Sequence, residues 1–365
     1  MRSRPDLPAN PNGPGRLSRR QALAALPGII FAPGLLARAA QTPAPRIPVA
    51  RLHGFAIRVP DPERTLRFYQ RLFGMPVQAS RDDTVHLRIG DGPQFMSVSP
   101  TVRDEAPSIS HICISVPDFD ADRLLGTLAE LGFTESDPPA PGSMGIDNAM
   151  KAWVRLQDGE TPELYFADAR GLVIQLQDPA YCGGRGPLGN TCENPDTGTE
   201  PEIAPITLED LSHFTVFVSD GAGAEQFYRD TMGFFPQAYQ ATTPALGVGD
   251  GIQFLMFAGG GGGRGRGRGG GAAPAAAPAN IHHACFNMDG FVTDEVLETL
   301  TGYGLTSSNA NTGPLVHYVS LRMPDRGGAE GGTPELYFTD PDGLLMQIQD
   351  SNYCGGGGIL GDVCG

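Results

Sequence analysis

The chain repeats itself, and that repeat constrains its fold more than any single motif does. Val59-Pro60-Asp61 aligns with Val218-Ser219-Asp220, Phe68-Tyr69 with Phe227-Tyr228, and Ile89 to Met96 with Val248 to Leu255, all at an offset of 159 residues. Beyond these segments the offset is 172: Ser110-His111-Ile112-Cys113 aligns with His282-His283-Ala284-Cys285. Thr161 to Phe166 recurs unchanged as Thr333 to Phe338. The thirteen extra residues fall in a Gly/Ala/Pro-rich run, 259–279, which reads as an inserted loop. A chain of 365 residues is long enough for more than one apolar core, and two similar modules are therefore expected, at 51–192 and 210–365. Residues 40–50 and 193–209 read as linkers.

Each copy divides again into halves of about fifty residues. In the second copy, His213 to Val218 alternates as a strand does, and Gly223 to Met232 places Phe227 and Tyr228 on one helical face. Ala245 to Val248 and Ile252 to Phe257 read as strands around a Gly-Asp-Gly turn. The second half restarts with a strand at Ile281 to Asn287 and a helix at Asp294 to Tyr303. Strands follow at Val316 to Arg322, Glu335 to Thr339 and Leu344 to Gln349.

Strand, helix and three strands, twice per copy, resembles the vicinal oxygen chelate superfamily of glyoxalases, bleomycin-resistance proteins and extradiol dioxygenases. The resemblance covers about 51–180 and 210–350. It implies an α+β fold of two tandem modules, each of paired βαβββ units forming an open eight-stranded cup around a metal. Ligands in that superfamily come from the first strand of each half and from the last strand. Here those positions hold His213, seven residues before Asp220, then His283, and Gln347 where a glutamate is usual. A glutamine oxygen can coordinate but brings no charge. Glu335 is the alternative carboxylate, on the same strand face as Tyr337. Leu336 to Gly343, followed by Gln347, resembles the extradiol signature. The resemblance implies that Tyr337 hydrogen-bonds a substrate oxygen and that His317, one strand earlier, assists. The implied cofactor is a divalent metal, iron(II) first, with manganese, zinc or nickel as alternatives.

The first copy departs from the pattern. Gly54 stands at the first ligand position, while His53 is one residue out of register and so expected on the opposite face. His111 and Gln175 remain at the other two. His86 matches Ala245 and is read as a surface residue. The working site is therefore expected in the second copy. His282 breaks alternation with His283 and is expected to face away from it.

Cys182 and Cys192 flank a Gly-rich loop after the last strand of the first copy, and Cys354 and Cys364 repeat the arrangement. Equal local spacing favours the pairs Cys182–Cys192 and Cys354–Cys364; zinc is the alternative, poorly suited to this spacing. Cys113 and Cys285 read as small buried hydrophobes.

Ser18-Arg19-Arg20-Gln21-Ala22-Leu23 resembles a twin-arginine export signature, followed by a short apolar stretch and Ala37-Arg38-Ala39. Residues 1–39 are thus expected to be a signal peptide, with the mature protein periplasmic or extracellular and free of stable membrane insertion. The net charge is −15, and the segment 1–39 carries six arginines against Asp6, so the remainder stands at −20. That charge argues against a nucleic-acid partner. The only lysine is Lys151, which leaves little scope for Schiff-base chemistry. The expected partner is a small oxygen-chelating molecule resembling a vicinal diol, and the expected activity that of an extradiol-type oxygenase. A glyoxalase-like lyase or isomerase and a non-enzymatic binding protein of the bleomycin-resistance type are the alternatives. Nothing in the sequence sets the substrate or the oligomeric state.

Overall fold

The computed structural model describes residues 44–102, 104–140, 146–158, 160–192, 204–259, 277–309 and 313–365. The expected signal peptide and most of the Gly/Ala/Pro-rich loop lie outside the described residues. In the first copy the order is β1 (Arg51–Val59), α1 (Pro62–Phe73), β2 (Val77–Arg81), β3 (Thr84–Arg88) and β4 (Phe95–Pro100). There follow β5 (Ser108–Ser115), α2 (Ala121–Glu130), β6 (Thr134–Glu135), β7 (Lys151–Gln157), β8 (Thr161–Ala167) and β9 (Val173–Gln177). The second copy repeats this as β10 (Asp210–Val218), α3 (Gly221–Met232), β11 (Phe235–Gln240), β12 (Thr243–Gly247) and β13 (Phe254–Gly259). Its second half is β14 (Asn280–Met288), α4 (Thr293–Gly302), β15 (Thr306–Ser307), β16 (Val316–Arg322), β17 (Thr333–Thr339) and β18 (Leu345–Asp350).

Each copy forms one open sheet, in the order β2-β3-β4-β1-β5-β9-β8-β7-β6 and β11-β12-β13-β10-β14-β18-β17-β16-β15. The sheets have nine strands where eight were expected, because the two-residue β6 and β15 each add an edge. The repeated Asp61 and Asp220 explain where two of the helices start. Each carboxylate accepts from a backbone N–H three residues on, Arg64 and Gly223, and so satisfies a first-turn donor.

The two copies pack through the faces turned away from their cups. Phe55 of β1 meets Phe214 of β10 with ring centroids 5.5 Å apart. Helices α1 and α3 lie in this seam: Phe73 of α1 contacts Phe338 at 5.6 Å, and Phe227 of α3 contacts Phe133 at 6.0 Å. The buried apolar residues of both copies form one continuous cluster. Truncating one of these rings, Phe214→Ala for instance, is expected to cost about 3–5 kcal/mol. Polar contacts across the seam repeat too. Tyr69 reaches Asp340 and Tyr228 reaches Asp168, while Arg170 pairs with Asp220 and Arg64 with Asp342. No described helix is long and apolar enough to cross a membrane.

Candidate metal centre

Strand register brings the second copy's candidate residues together. Tyr337, Gln347, Cys285, His213 and Phe254 are consecutive partners across β17, β18, β14, β10 and β13, so they form one row on one face. His283 lies two residues before Cys285 and shares that face. The two imidazoles meet edge to face, with Nε2 of His283 3.3 Å from Nε2 of His213. His213 also stacks on Phe254, its centroid 4.3 Å from the phenyl ring.

Two β-bulges set the ring orientations. The register between β10 and β14 slips between Leu211 and His213, leaving Ser212 unpaired, and again between Thr215 and Val216, leaving His282 unpaired. Each bulged residue turns back to its neighbour. The Ser212 Oγ lies 3.1 Å from His213 Nδ1, and His282 Nδ1 lies 2.9 Å from His283 Nδ1. His282 therefore does not face away as expected, because the extra residue cancels the alternation on which that expectation rested. With each Nδ1 engaged, both Nε2 atoms are available as the unprotonated nitrogen. Burial holds both rings neutral: it lowers His213 to about 3 and His283 well below its ordinary value.

Two facing lone pairs at 3.3 Å need a proton or a cation between them. Nitrogens each about 2.1 Å from one ion, at angles of about 90–110°, stand about 3.0–3.4 Å apart. The side chain of Gln347 adjoins both rings and favours their charged forms, yet among the described residues neither its Oε1 nor its Nε2 makes a hydrogen bond of normal geometry. A buried amide without partners is costly, so His213 and His283 have the spacing of two ligands to one divalent ion, and Gln347 beside them is the donor with unmet valence. This donor set, two imidazoles and an amide, is neutral, and no group of three or more His, Cys, Asp or Glu that could hold a metal occurs among the described residues.

Glu335, the alternative ligand, is committed elsewhere. Its Oε1 accepts from Arg322 Nε at 2.9 Å and from the Tyr353 hydroxyl at 3.3 Å, while Oε2 faces the Tyr337 hydroxyl at 3.5 Å. Arg322 is fully buried, which makes this an internal ion pair. Tyr337 stands at the site as expected: its ring meets His283 edge-on at 5.3 Å and stacks on Tyr318 at 5.0 Å. Burial and the Glu335 carboxylate push its hydroxyl pKa well up, so it stays protonated. His317 is not brought to the site. Its strand partner is Phe338, one step out from the Tyr318–Tyr337 pair, and its Nε2 faces the Thr301 hydroxyl of α4 at 2.9 Å. Tyr318, Tyr353, Arg322 and Ser212 are the residues that sequence reasoning missed. The offset pairing of Tyr353 with Tyr181 was the one available signal.

In the first copy, a Cβ on Gly54 would lie 2.7 Å from the carbonyl oxygen of Phe95 and 3.0 Å from its ring, so Phe95 fills the place of the missing imidazole. His53 occupies a bulge between Leu52 and Gly54, and its Nε2 turns to the Tyr181 carbonyl at 2.6 Å. Its ring joins the cup-side Phe95 and Tyr181, where the opposite face was expected. His111 Nε2 is bonded to Gln175 Oε1 at 3.1 Å, leaving no open valence like that of Gln347. His86 is buried, not superficial. Its Nδ1 meets Ser97 Oγ at 2.8 Å, and Gly183 of the following Cys loop, at φ +78°, has room for no side chain against the imidazole. Both expected disulfides are present, Cys182–Cys192 and Cys354–Cys364, and Cys113 and Cys285 are free and buried.

Residues 51–175 match the family model of the Glyoxalase/Bleomycin resistance protein/Dioxygenase superfamily. No curated protein matches the sequence. Among solved structures, the chain is similar to a variant of homoprotocatechuate 2,3-dioxygenase from B. fuscum, at 15% identity and TM-score 0.54, over 84% of this chain and 73% of that one. A room-temperature structure of an extradiol ring-cleaving dioxygenase from B. fuscum aligns at 16% identity and TM-score 0.54, over 84% and 74%. An anaerobic substrate complex of homoprotocatechuate 2,3-dioxygenase from Brevibacterium fuscum aligns at 15% and 0.54, over 84% and 82%. At such identities the likeness is one of fold: two tandem modules arranged as in an extradiol dioxygenase.

Proposed function

We propose that this protein is an exported, metal-dependent oxygenase of the extradiol type, acting on a small vicinal-diol-like molecule in the second copy's cup. The observation that carries the reading is the convergence of His213 and His283 through their Nε2 atoms beside the unsatisfied amide of Gln347. An iron(II) ion held by these three would supply Lewis acidity and electron transfer toward oxygen. The chain's own part is orientation and proton placement. Ser212 and His282 keep the Nδ1 sides of the imidazoles occupied. Tyr337, protonated and held near Glu335, offers its hydroxyl hydrogen to a substrate oxygen. Glu335 is held by Arg322, which argues against its acting as the base of a lyase. The two disulfides suit an oxidising compartment.

The neutral donor set favours one second reading, a non-enzymatic ligand-binding cup. Thermal shifts with and without iron(II), taken anaerobically and followed by oxygen uptake with catechol against hydroquinone, separate the two. Stabilisation by iron(II) and uptake with catechol alone support the oxygenase. No stabilisation by iron(II), manganese, zinc or nickel leaves the binding protein.

A further inference from the structure

The first copy's cup has lost the metal pattern and kept a cavity. Its volume is about 480 Å³, within the range of small-molecule sites. Arg58, Arg81, Arg155, His111 and Tyr165 contribute to its lining. The charges there are unevenly satisfied. Arg58 is neutralised by Glu105, whose two oxygens each lie 2.9 Å from its Nε. Glu163, the buried carboxylate, already accepts from Tyr165, Tyr181 and Gln157 at 2.8, 2.6 and 2.9 Å. Asp82 and Asp83 sit exposed on the turn at the mouth.

Two guanidiniums remain. Arg81 has a side chain only 9% exposed, and among the described residues its sole ion pair is Asp158, 3.9 Å away and 60% exposed. Its Nη2 donates to the Gly184 carbonyl, but Nε and Nη1 are buried without a hydrogen-bond partner among the described residues. Arg155 lies over the Tyr165 ring, 5.6 Å from its centroid, with no hydrogen-bond or ion-pair partner among the described residues. Arg81 thus keeps unmet positive donors in the interior, which is costly unless an anion completes them, while half-buried Arg155 adds a second guanidinium to the cavity lining. The volume far exceeds a phosphate ion, and the tyrosine walls suit a planar organic body.

We propose that the first copy's cup is a metal-free binding site for a small organic carboxylate, held by Arg155 and Arg81 against the Tyr165 wall. It is a second site, separate from the metal centre and independent of the activity proposed there.

The chain carries its own reporter. Its only tryptophan, Trp153, is buried and stacked on Tyr165 with centroids 5.8 Å apart. Titration of the full chain with benzoate in chelator should change Trp153 fluorescence saturably. Arg155→Gln should weaken that binding about 10- to 100-fold, as loss of a charge-assisted contact does, while Arg155→Lys should retain most of it. Arg81→Gln should weaken it as well, and circular dichroism checks that each variant is folded. The proposal fails if benzoate gives no saturable response, or if Arg155→Gln binds as the parent does. It also fails if neutral benzamide binds equally well, or if inorganic phosphate competes at equal concentration.

Discussion

The hydroxyl of Tyr69 donates across the seam between the copies to Oδ2 of Asp340, at 3.4 Å, and the repeat places Tyr228 against Asp168 in the same way, at 3.5 Å. Burial lifts the Asp340 carboxyl to about 7, although the backbone N–H groups of Leu344 and Asp342 pull it down. A carboxyl raised in the folded state keeps its proton where the unfolded chain has released it, so its contribution is complete below about 4 and lost as pH rises through 7. Asp340→Asn should keep the turn, because an amide oxygen can still accept from both N–H groups. Denaturant unfolding between pH 5 and 8 should cost the parent about 2–3 kcal/mol more than this variant. Parallel curves would show that Asp340 does not titrate there.

Buried histidines act with the opposite sign. Burial lowers His53 and His111 to about 4, and His86 and His213 to about 3. Their contribution is present above about 6.5 and lost as pH falls toward 3. The stability of the Asp340→Asn protein should therefore begin to fall below about pH 6.5, and its acid unfolding should take up protons at several groups, measurable by potentiometric titration.

Ser212 Oγ touches His213 Nδ1 and would not touch a metal. Ser212→Ala should weaken divalent-metal affinity about 10- to 100-fold without unfolding the sheet. Gln347→Glu should tighten it, since a carboxylate adds charge at unchanged coordination. Calorimetric titration of both variants checks this, and destabilisation by Gln347→Glu with or without metal would count against a metal centre.

Arg322 and Gln157 are equivalent positions that solve one problem differently. Arg322 donates Nε to Glu335, and Gln157 donates Nε2 to Glu163, each at 2.9 Å. Arg322→Met strands a buried carboxylate and should cost about 3–5 kcal/mol. Arg322→Gln, already tolerated in the other copy, should cost less than half of that. Equal losses would mean that packing of the long side chain, not the charge, dominates.

Replacing Arg19 and Arg20 together by lysine should leave precursor in the cytoplasm, detectable by fractionation and by its greater mass. Mature protein from the parent, mapped without reduction, should link Cys182 to Cys192 and Cys354 to Cys364. Removing either bridge should cost about 2–3 kcal/mol.

Much of this architecture was legible because duplication doubles every signal: an alternation seen once is weak, and seen at two fixed offsets it marks a strand. Strand β11 escaped, since Phe235-Pro236-Gln237 offers a proline and no clean alternation. His53 and His282 were assigned to the wrong face for a single physical reason. A β-bulge inserts one residue and shifts parity, and no local residue type announces it. His317 was misplaced by its neighbour: Tyr318, pairing with Tyr337, takes the inward position. Comparison with Ala245 hides the burial of His86, which comes from Ser97 and Gly183 on elements distant in the sequence. The Arg322–Glu335 pair lies thirteen residues apart on adjacent strands, so only the hairpin length reveals it.

The back-to-back packing of the two sheets has a consequence for traffic. The cup-side residues lie on the sheet faces turned away from the seam, and the seam is filled by the rings of Phe55, Phe214 and Phe73. A molecule leaving one cup must diffuse through bulk solvent to reach the other, where it is diluted and competes with everything else dissolved there. If both cups hold small molecules as proposed, they do so as two vessels sharing one wall, with no direct hand-over through it.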